Sequence, residues 1–272
     1  MKKLMDELPD IGYYVFDARA KTAADFRAKN SALVEETLSE LNRLYLVVMF
    51  CVLHGGDVSK TPRFDAFSLF VRALESLVSS VHLASHRQAM EACVLMRHSL
   101  ETAATAAHIC MSHEALVQYG ELKYKSTSAI SHAKNIVPII GEIWGIISTL
   151  AVHVNLRHGP FYEPSEDGDG IFGTIEIPLA EKKASPGKDE GILTLISLVS
   201  NINLRLFEET LLEKSPTNEG FLQVPGTGHL YLCPTIDLIA KYHDRFIELL
   251  GIYQTETRKG SRKTSGEGRT TV

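Results

Sequence analysis

The chain has one tryptophan, four cysteines and no apolar run longer than the ten residues from Leu44 to Leu53. Each scarcity excludes something. A run of ten is too short to span a bilayer, and the opening MKKLMDELPD lacks the apolar core of a secretory signal, so neither an anchor nor export is expected. Cys93 and Cys110 lie on one proposed helix, about 25 Å apart along its axis, too far to bond to each other. None of Cys51, Cys93, Cys110 and Cys233 has CxxC spacing, and each sits among apolar neighbours. Reduced, buried thiols and a cytoplasmic location are the expectation.

Catalytic signatures are missing as well. There is no GxSxG, no recognisable Cys/His arrangement, no GxxxxGK[ST], and no GxGxxG after a strand. Nucleotide binding of the usual kinds is unsupported, and no cofactor is expected. His82 and His86, four residues apart, could share a metal on one helix, with His98 and Glu101 nearby. Carboxylate-bridged helical bundles use Glu-x-x-His, however, which occurs nowhere here, and a cation beside Arg97 would be repelled. No metal site is expected. The acidic run Ser165–Gly170 lacks the alternating ligands of a calcium loop and reads as a solvated turn.

Charge is unevenly spread. The net charge is -5, yet residues 256–272 hold five bases against two acids, which leaves the preceding residues at -8. An acidic body argues against a broad nucleic-acid surface, although a local basic cleft would escape this count. The segment 256–272 reads as a polar, basic tail with little capacity to fold.

Helical periodicity dominates the rest. Residues 31–54 carry Val34, Leu38, Leu41, Tyr45, Val48 and Val52 at intervals of three or four, and Gly55 and Gly56 follow. A helix from about 63 to 81 presents Phe64, Phe67, Phe70, Val71, Leu74, Leu77 and Val78, and nothing between Val81 and Ser85 forces it to stop. Further helices are expected at 85–110, at 114–134 with Tyr119, Leu122, Tyr124 and Ile130 inward, and at 139–154, 191–213 and 235–254. The opening 30 residues read as an irregular or short helical arm. The Gly-, Pro- and acid-rich segment 157–190 breaks the pattern and offers one regular patch at 171–177, a short strand or small hairpin. These elements predict an all-α, single-domain bundle of six or seven helices over residues 1–255.

The helix at 85–110 is apolar nearly all round yet carries His86, Arg97, Glu101 and His108. At about 100° per residue, the last three lie roughly 20°, 60° and 40° from His86, so all four share one stripe. A polar stripe on a buried helix must be paired internally or open into a pocket. Arg97 and Glu101, four apart, can form a structural ion pair. Alternatively they face a ligand, with His153 as acid or base. His86 and His108 are each about 17 Å along the axis from Arg97, so the four cannot meet one small ligand. Arg157 and His158 sit where the long loop begins; they are helix-end cations in the plain reading and anion ligands in the sharper one.

The segment Leu95-Met96-Arg97-His98-Ser99-Leu100-Glu101 resembles bacterial all-helical proteins of uncharacterised role, in which Arg-x-x-x-Glu on a central helix precedes a helix ending in Ser and His. Ser148 and His153 would be those residues here, five apart where the pattern has four. Such proteins are broadly similar to HEPN-type domains, many of which occur in toxin–antitoxin and phage-defence systems. HEPN ribonucleases carry an arginine, then four to six residues, then a histidine, and no arginine here has a histidine at that spacing. The resemblance therefore implies a binding or regulatory helical protein of such a system, self-associating or joined to a partner protein. The alternative is a hydrolase, perhaps of nucleic acid, with a pocket of Arg97, Glu101 and His153.

Overall fold

The computed structural model describes residues 19–54, 62–151, 186–214, 221–223, 230–232 and 235–264. They are all-α in class. Nine helices are present among the described residues: α1 (Arg19–Lys29), α2 (Ser31–His54), α3 (Pro62–Ser85), α4 (Ala89–Met111), α5 (His113–Gly120), α6 (Ser126–Ala133), α7 (Ile140–Ala151), α8 (Pro186–Leu211) and α9 (Thr235–Thr264). Between α8 and α9 three strands of two or three residues, β1 (Glu213–Lys214), β2 (Phe221–Gln223) and β3 (Leu230–Leu232), pair antiparallel in that order. Runs this short carry no alternation by which a sequence could announce them.

The bundle forms around two helices. One is α4, as expected, packed by α3, α5, α6 and α7; the other is α8, which touches α2, α3, α4 and α9. Every residue of α8 from Ile192 to Leu204 is buried. Its serines and asparagines do not mark a wet face, because each finds a partner on a neighbour. The Thr37 and Ser197 hydroxyls meet at 3.1 Å beside the Leu193 carbonyl. Asn203 Nδ2 donates to Ser99 Oγ at 2.7 Å, and Ser99 donates to the Ala73 carbonyl at 2.7 Å, joining α8, α4 and α3. Burying such groups is tolerable only when they are bonded. Apolar contacts flank them: the Phe207 ring stands edge-on to Phe70 and Phe67, with centroids 5.1 and 6.4 Å away. Pro186 opens α8, so the irregular segment expected over 157–190 is helical from residue 186; proline suits a first helical turn.

Two helices turn differently from the expected apolar stripes. On α2 the buried side is Val34, Thr37, Leu41, Leu44, Val48 and Cys51, whereas Leu38 and Tyr45 face outward. The Thr37 hydroxyl bonds to α8, so a polar letter hid the true face. On α3 the small residues Ala66, Ala73, Ser80 and Ala84 are inside, and Phe64 and Val78 are outside.

Helices α3 and α4 do not run on through a kink. They are separated at Arg87, which adopts φ 58°, with Gln88 N–H donating to the Leu83 carbonyl at 2.9 Å and Arg87 N–H to that of Ala84. This is a Schellman cap with arginine in the left-handed position usually given to glycine. Leu122, at φ 57°, ends α5 in the same way: Lys123 N–H reaches the Gln118 carbonyl. The helix expected over 114–134 is therefore two, and Leu122 is almost fully exposed rather than inward. At the other end of the chain, α9 runs to Thr264, so residues 256–264 of the expected tail are helical backbone.

By length and composition alone, two helices among the described residues, Phe64–Ser85 and Asp189–Leu211, are long and apolar enough to cross a membrane. The second is 83% buried in its apolar window, as a bundle core must be, and the first only 33%. The scarcity of long unbroken runs did not reveal this, because isolated serines and threonines interrupt a run without making the helix polar on average.

Candidate functional site

The stripe on α4 exists, with one residue lost and others gained. Arg97 and Glu101 are bonded, Nε to Oε1 at 3.1 Å, and each side chain keeps about a fifth to a quarter of its surface exposed. The same Oε1 accepts the Trp144 indole N–H from α7 at 2.8 Å. The Arg97 guanidinium carbon lies 5.0 Å from the Trp144 ring centroid. Three groups from two helices thus form a closed triangle of ion pair, charge-assisted hydrogen bond and cation–π contact. An exposed Arg–Glu pair alone contributes only a few tenths of a kcal/mol; the stacked and bonded ring raises this to roughly 1–2 kcal/mol. Trp144 was missed from sequence, although a lone tryptophan on an apolar helix needs an acceptor for its N–H. Ser148, one turn on, bonds back to the Trp144 carbonyl at 2.7 Å and is buried.

Further along the stripe, Thr105 donates to the Glu101 carbonyl, and His108 begins a second cluster. His108 Nδ1 is 2.7 Å from the Tyr124 hydroxyl, and its ring stacks on His132 of α6 with centroids 4.3 Å apart and planes 13° from parallel. Tyr119 meets Tyr124 edge-on. His132 Nε2 is buried without a hydrogen-bond partner among the described residues. Burial pushes the Tyr124 phenol up to about 12. It holds both imidazoles below their usual value, the nearby His132 ring adding to the effect on His108 and Glu114 opposing it.

The sign of the resulting pH dependence is fixed. An imidazole whose folded value lies below its unfolded one, about 6.5, binds fewer protons when folded. Stability from this pair is therefore complete above that value and falls as the pH drops below it. Urea unfolding at about pH 8 and about pH 5.5 is expected to show the loss. His132→Phe, which keeps a stacked ring without a titrating nitrogen, should reduce it; identical pH dependence in the two proteins would contradict the assignment.

His86 is not on the stripe, because the Arg87 cap places it in the turn. Its ring lies 4.3 Å from that of His82, and its Nδ1 is 2.7 Å from the His82 carbonyl. Among the described residues no group of three or more His, Cys, Asp or Glu is placed to hold a metal ion. Cys51 and Cys93 are buried thiols outside any disulfide, pushed up to about 11 and about 12, chiefly by burial, so they are poor nucleophiles; the Cys110 thiol donates to the Thr210 carbonyl at 3.9 Å. The expected partners His153, Arg157 and His158, and the hairpin at 171–177, lie outside the described residues.

Two more polar clusters escaped sequence reading. Arg87, nearly buried, directs its guanidinium to Asp25 of α1 at 3.3 Å and to Asp189 of α8 at 3.8 Å, and Asn30 donates to Asp189 at 3.2 Å. Burial raises the Asp189 carboxyl above its usual value, with Arg87 opposing. Elsewhere the buried Tyr242 hydroxyl sits 3.0 Å from Glu36 and 3.2 Å from Glu40, flanked by Lys241 and Arg245 from α9, Arg43 from α2 and Asn201 from α8. The hydrogen bond from Lys241 holds Glu36 below the usual carboxylate range, against the opposing effect of burial. Both clusters tie helices together. A Glu-x-x-x-Glu pair on α2 that must face other helices was the available signal.

No family model matches the chain, and no match is found among characterised proteins or solved structures.

Proposed function

We propose that this is a binding or regulatory helical protein, of the kind found in bacterial defence and toxin–antitoxin-like systems, and not a hydrolase. One observation carries the choice between the two. The Glu101 carboxylate oxygen that Arg97 holds is also taken by Trp144, and the guanidinium is stacked on that same ring. A general base must be free to accept a proton, and an arginine serving a phosphate must present its donors to it. Here Arg97 Nε and Glu101 Oε1 are taken up by one another and by the α4–α7 contact, which favours a structural over a catalytic role for the pair. The free, buried thiols agree with a cytoplasmic setting. Exposed apolar side chains on α2 and α3, Leu38, Tyr45, Leu46, Phe64 and Val78, agree with association as the mode of action. The defence-system setting rests on the Arg97–Glu101 segment and its resemblance.

The test is a cleavage assay on single- and double-stranded RNA and DNA. The wild type is expected to cleave none of them above the buffer control, with Arg97→Ala and His153→Ala indistinguishable from it. Cleavage that disappears in either variant while circular dichroism shows an intact fold would overturn the proposal. It would install instead a composite pocket in which Arg97 holds the anion with Arg157 and His158, and Glu101 and His153 move protons.

A further inference from the structure

The outer face of α3 combines exposed apolar side chains with charges of both signs. Phe64, Val71, Val78 and His82 lie within about 40° of one another, in line with Glu75. Phe64 and Val78 are 44% and 51% exposed, while Val71 is half-buried against the core. The charges beside the stripe are Asp65, Arg72 and Glu75, with His82 at its end. Among the described residues no ion pair engages Asp65, Arg72 or Glu75.

We propose that this face binds the same face of a second copy of the chain, the two α3 helices running antiparallel about a two-fold axis that passes between Ala73 and Leu74. The order of the charges leads to this occupant and this register. In an antiparallel pair centred there, residues equidistant from the centre oppose each other, so Arg72 meets Glu75 of the second copy and Asp65 meets its His82. The two-fold repeats both contacts, and the four central charges alternate in sign. On the apolar stripe itself, Val78 comes about 3 Å along the axis from Val71 of the other copy. A like-oriented, parallel pairing would set Arg72 against Arg72 and Glu75 against Glu75, which is repulsive. Self-complementarity under a two-fold is what an isologous interface requires. A lipid surface would instead have to desolvate Asp65, Arg72 and Glu75 along the same face without countercharges.

This deepens the association reading above by naming the partner and the surface. Sedimentation equilibrium and light scattering over a micromolar concentration series test it. The wild type is expected to be a dimer. Arg72→Glu and Glu75→Arg each place like charges together twice per dimer and should raise the dissociation constant about 100-fold. The double variant Arg72→Glu/Glu75→Arg restores alternation and should recover the dimer, with circular dichroism and melting reporting that each variant is folded. A monomeric wild type, or a dimer unchanged by both single reversals, would overturn the proposal. So would a wild type that is monomeric in buffer but floats with phosphatidylcholine–phosphatidylglycerol vesicles. Nucleic-acid cleavage bears on the functional reading alone: a dimer that cleaves sinks that reading and keeps this interface, and an inert monomer does the reverse.

Discussion

Phe207→Ala is expected to destabilise the protein by about 3–5 kcal/mol, the usual result of truncating a fully buried aromatic. Phe207 is completely buried on α8 and holds two edge-to-face contacts with α3, to Phe67 and Phe70. Removing the ring deletes those contacts and leaves a void in the close-packed core cluster to which Phe70 also belongs. For a chain of this size the midpoint of thermal unfolding should fall by roughly 10 °C. Phe207→Leu, which refills part of the volume, should recover about half of the loss. Calorimetry of the three proteins decides the matter: a shift in Phe207→Ala of only a degree or two would mean that α8 is not the packed centre of the bundle.

The second large effect is expected at Asp189. Its replacement by alanine leaves the Arg87 guanidinium with the half-exposed Asp25 as its carboxylate, while its Nε already lacks a partner among the described residues. Stranding a nearly buried cation on this scale costs about 2–4 kcal/mol. Asp25→Ala, which removes the more exposed partner, should cost less than about 1 kcal/mol. The pair itself is not a large net gain, because burial raises the Asp189 carboxyl and so makes its ionisation oppose folding at neutral pH. For that reason the double variant Arg87→Gly/Asp189→Ala should recover most of the loss, since glycine also relieves the left-handed backbone at this position. Equal losses in Asp189→Ala and in the double variant, measured by urea unfolding, would show that Arg87 is not the group being stranded.

These two sites also mark where the sequence was legible. Helix positions and the all-α class followed from periodicity, because apolar residues three and four apart are a local property of the chain. The stripe of Arg97, Glu101 and His108 was legible for the same reason. Its fourth member was not. Placing His86 on α4 required the helix to start before residue 87, and no local rule puts an arginine in the left-handed conformation. Tertiary pairs hold it there, with Asp25 and Asp189, far away in sequence. Trp144 escaped on similar grounds: its acceptor lies 43 residues earlier, on another helix. Buried faces were misread where polar residues are paired inside, as with Thr37 on α2 and Ser197, Ser200, Asn201 and Asn203 on α8. A pattern of hydrophobic letters cannot show a hydroxyl whose partner is on another helix.

The burial of α8 on every side has a bearing on how the chain is made. Its hydrogen bonds to the first helices span long stretches of sequence, 160 residues from Ser197 to Thr37 and 104 from Asn203 to Ser99. A ribosome that has released α2, α3 and α4 has not yet synthesised the helix that covers their inner faces. Until it does, Leu44, Phe70, Leu77 and Ser99 have nothing from α8 against them. Helical proteins usually fold early on local contacts, but here completion waits on distant ones. The nascent chain thus passes through a length at which three finished helices present apolar surface to solvent, the condition in which chaperones are needed most.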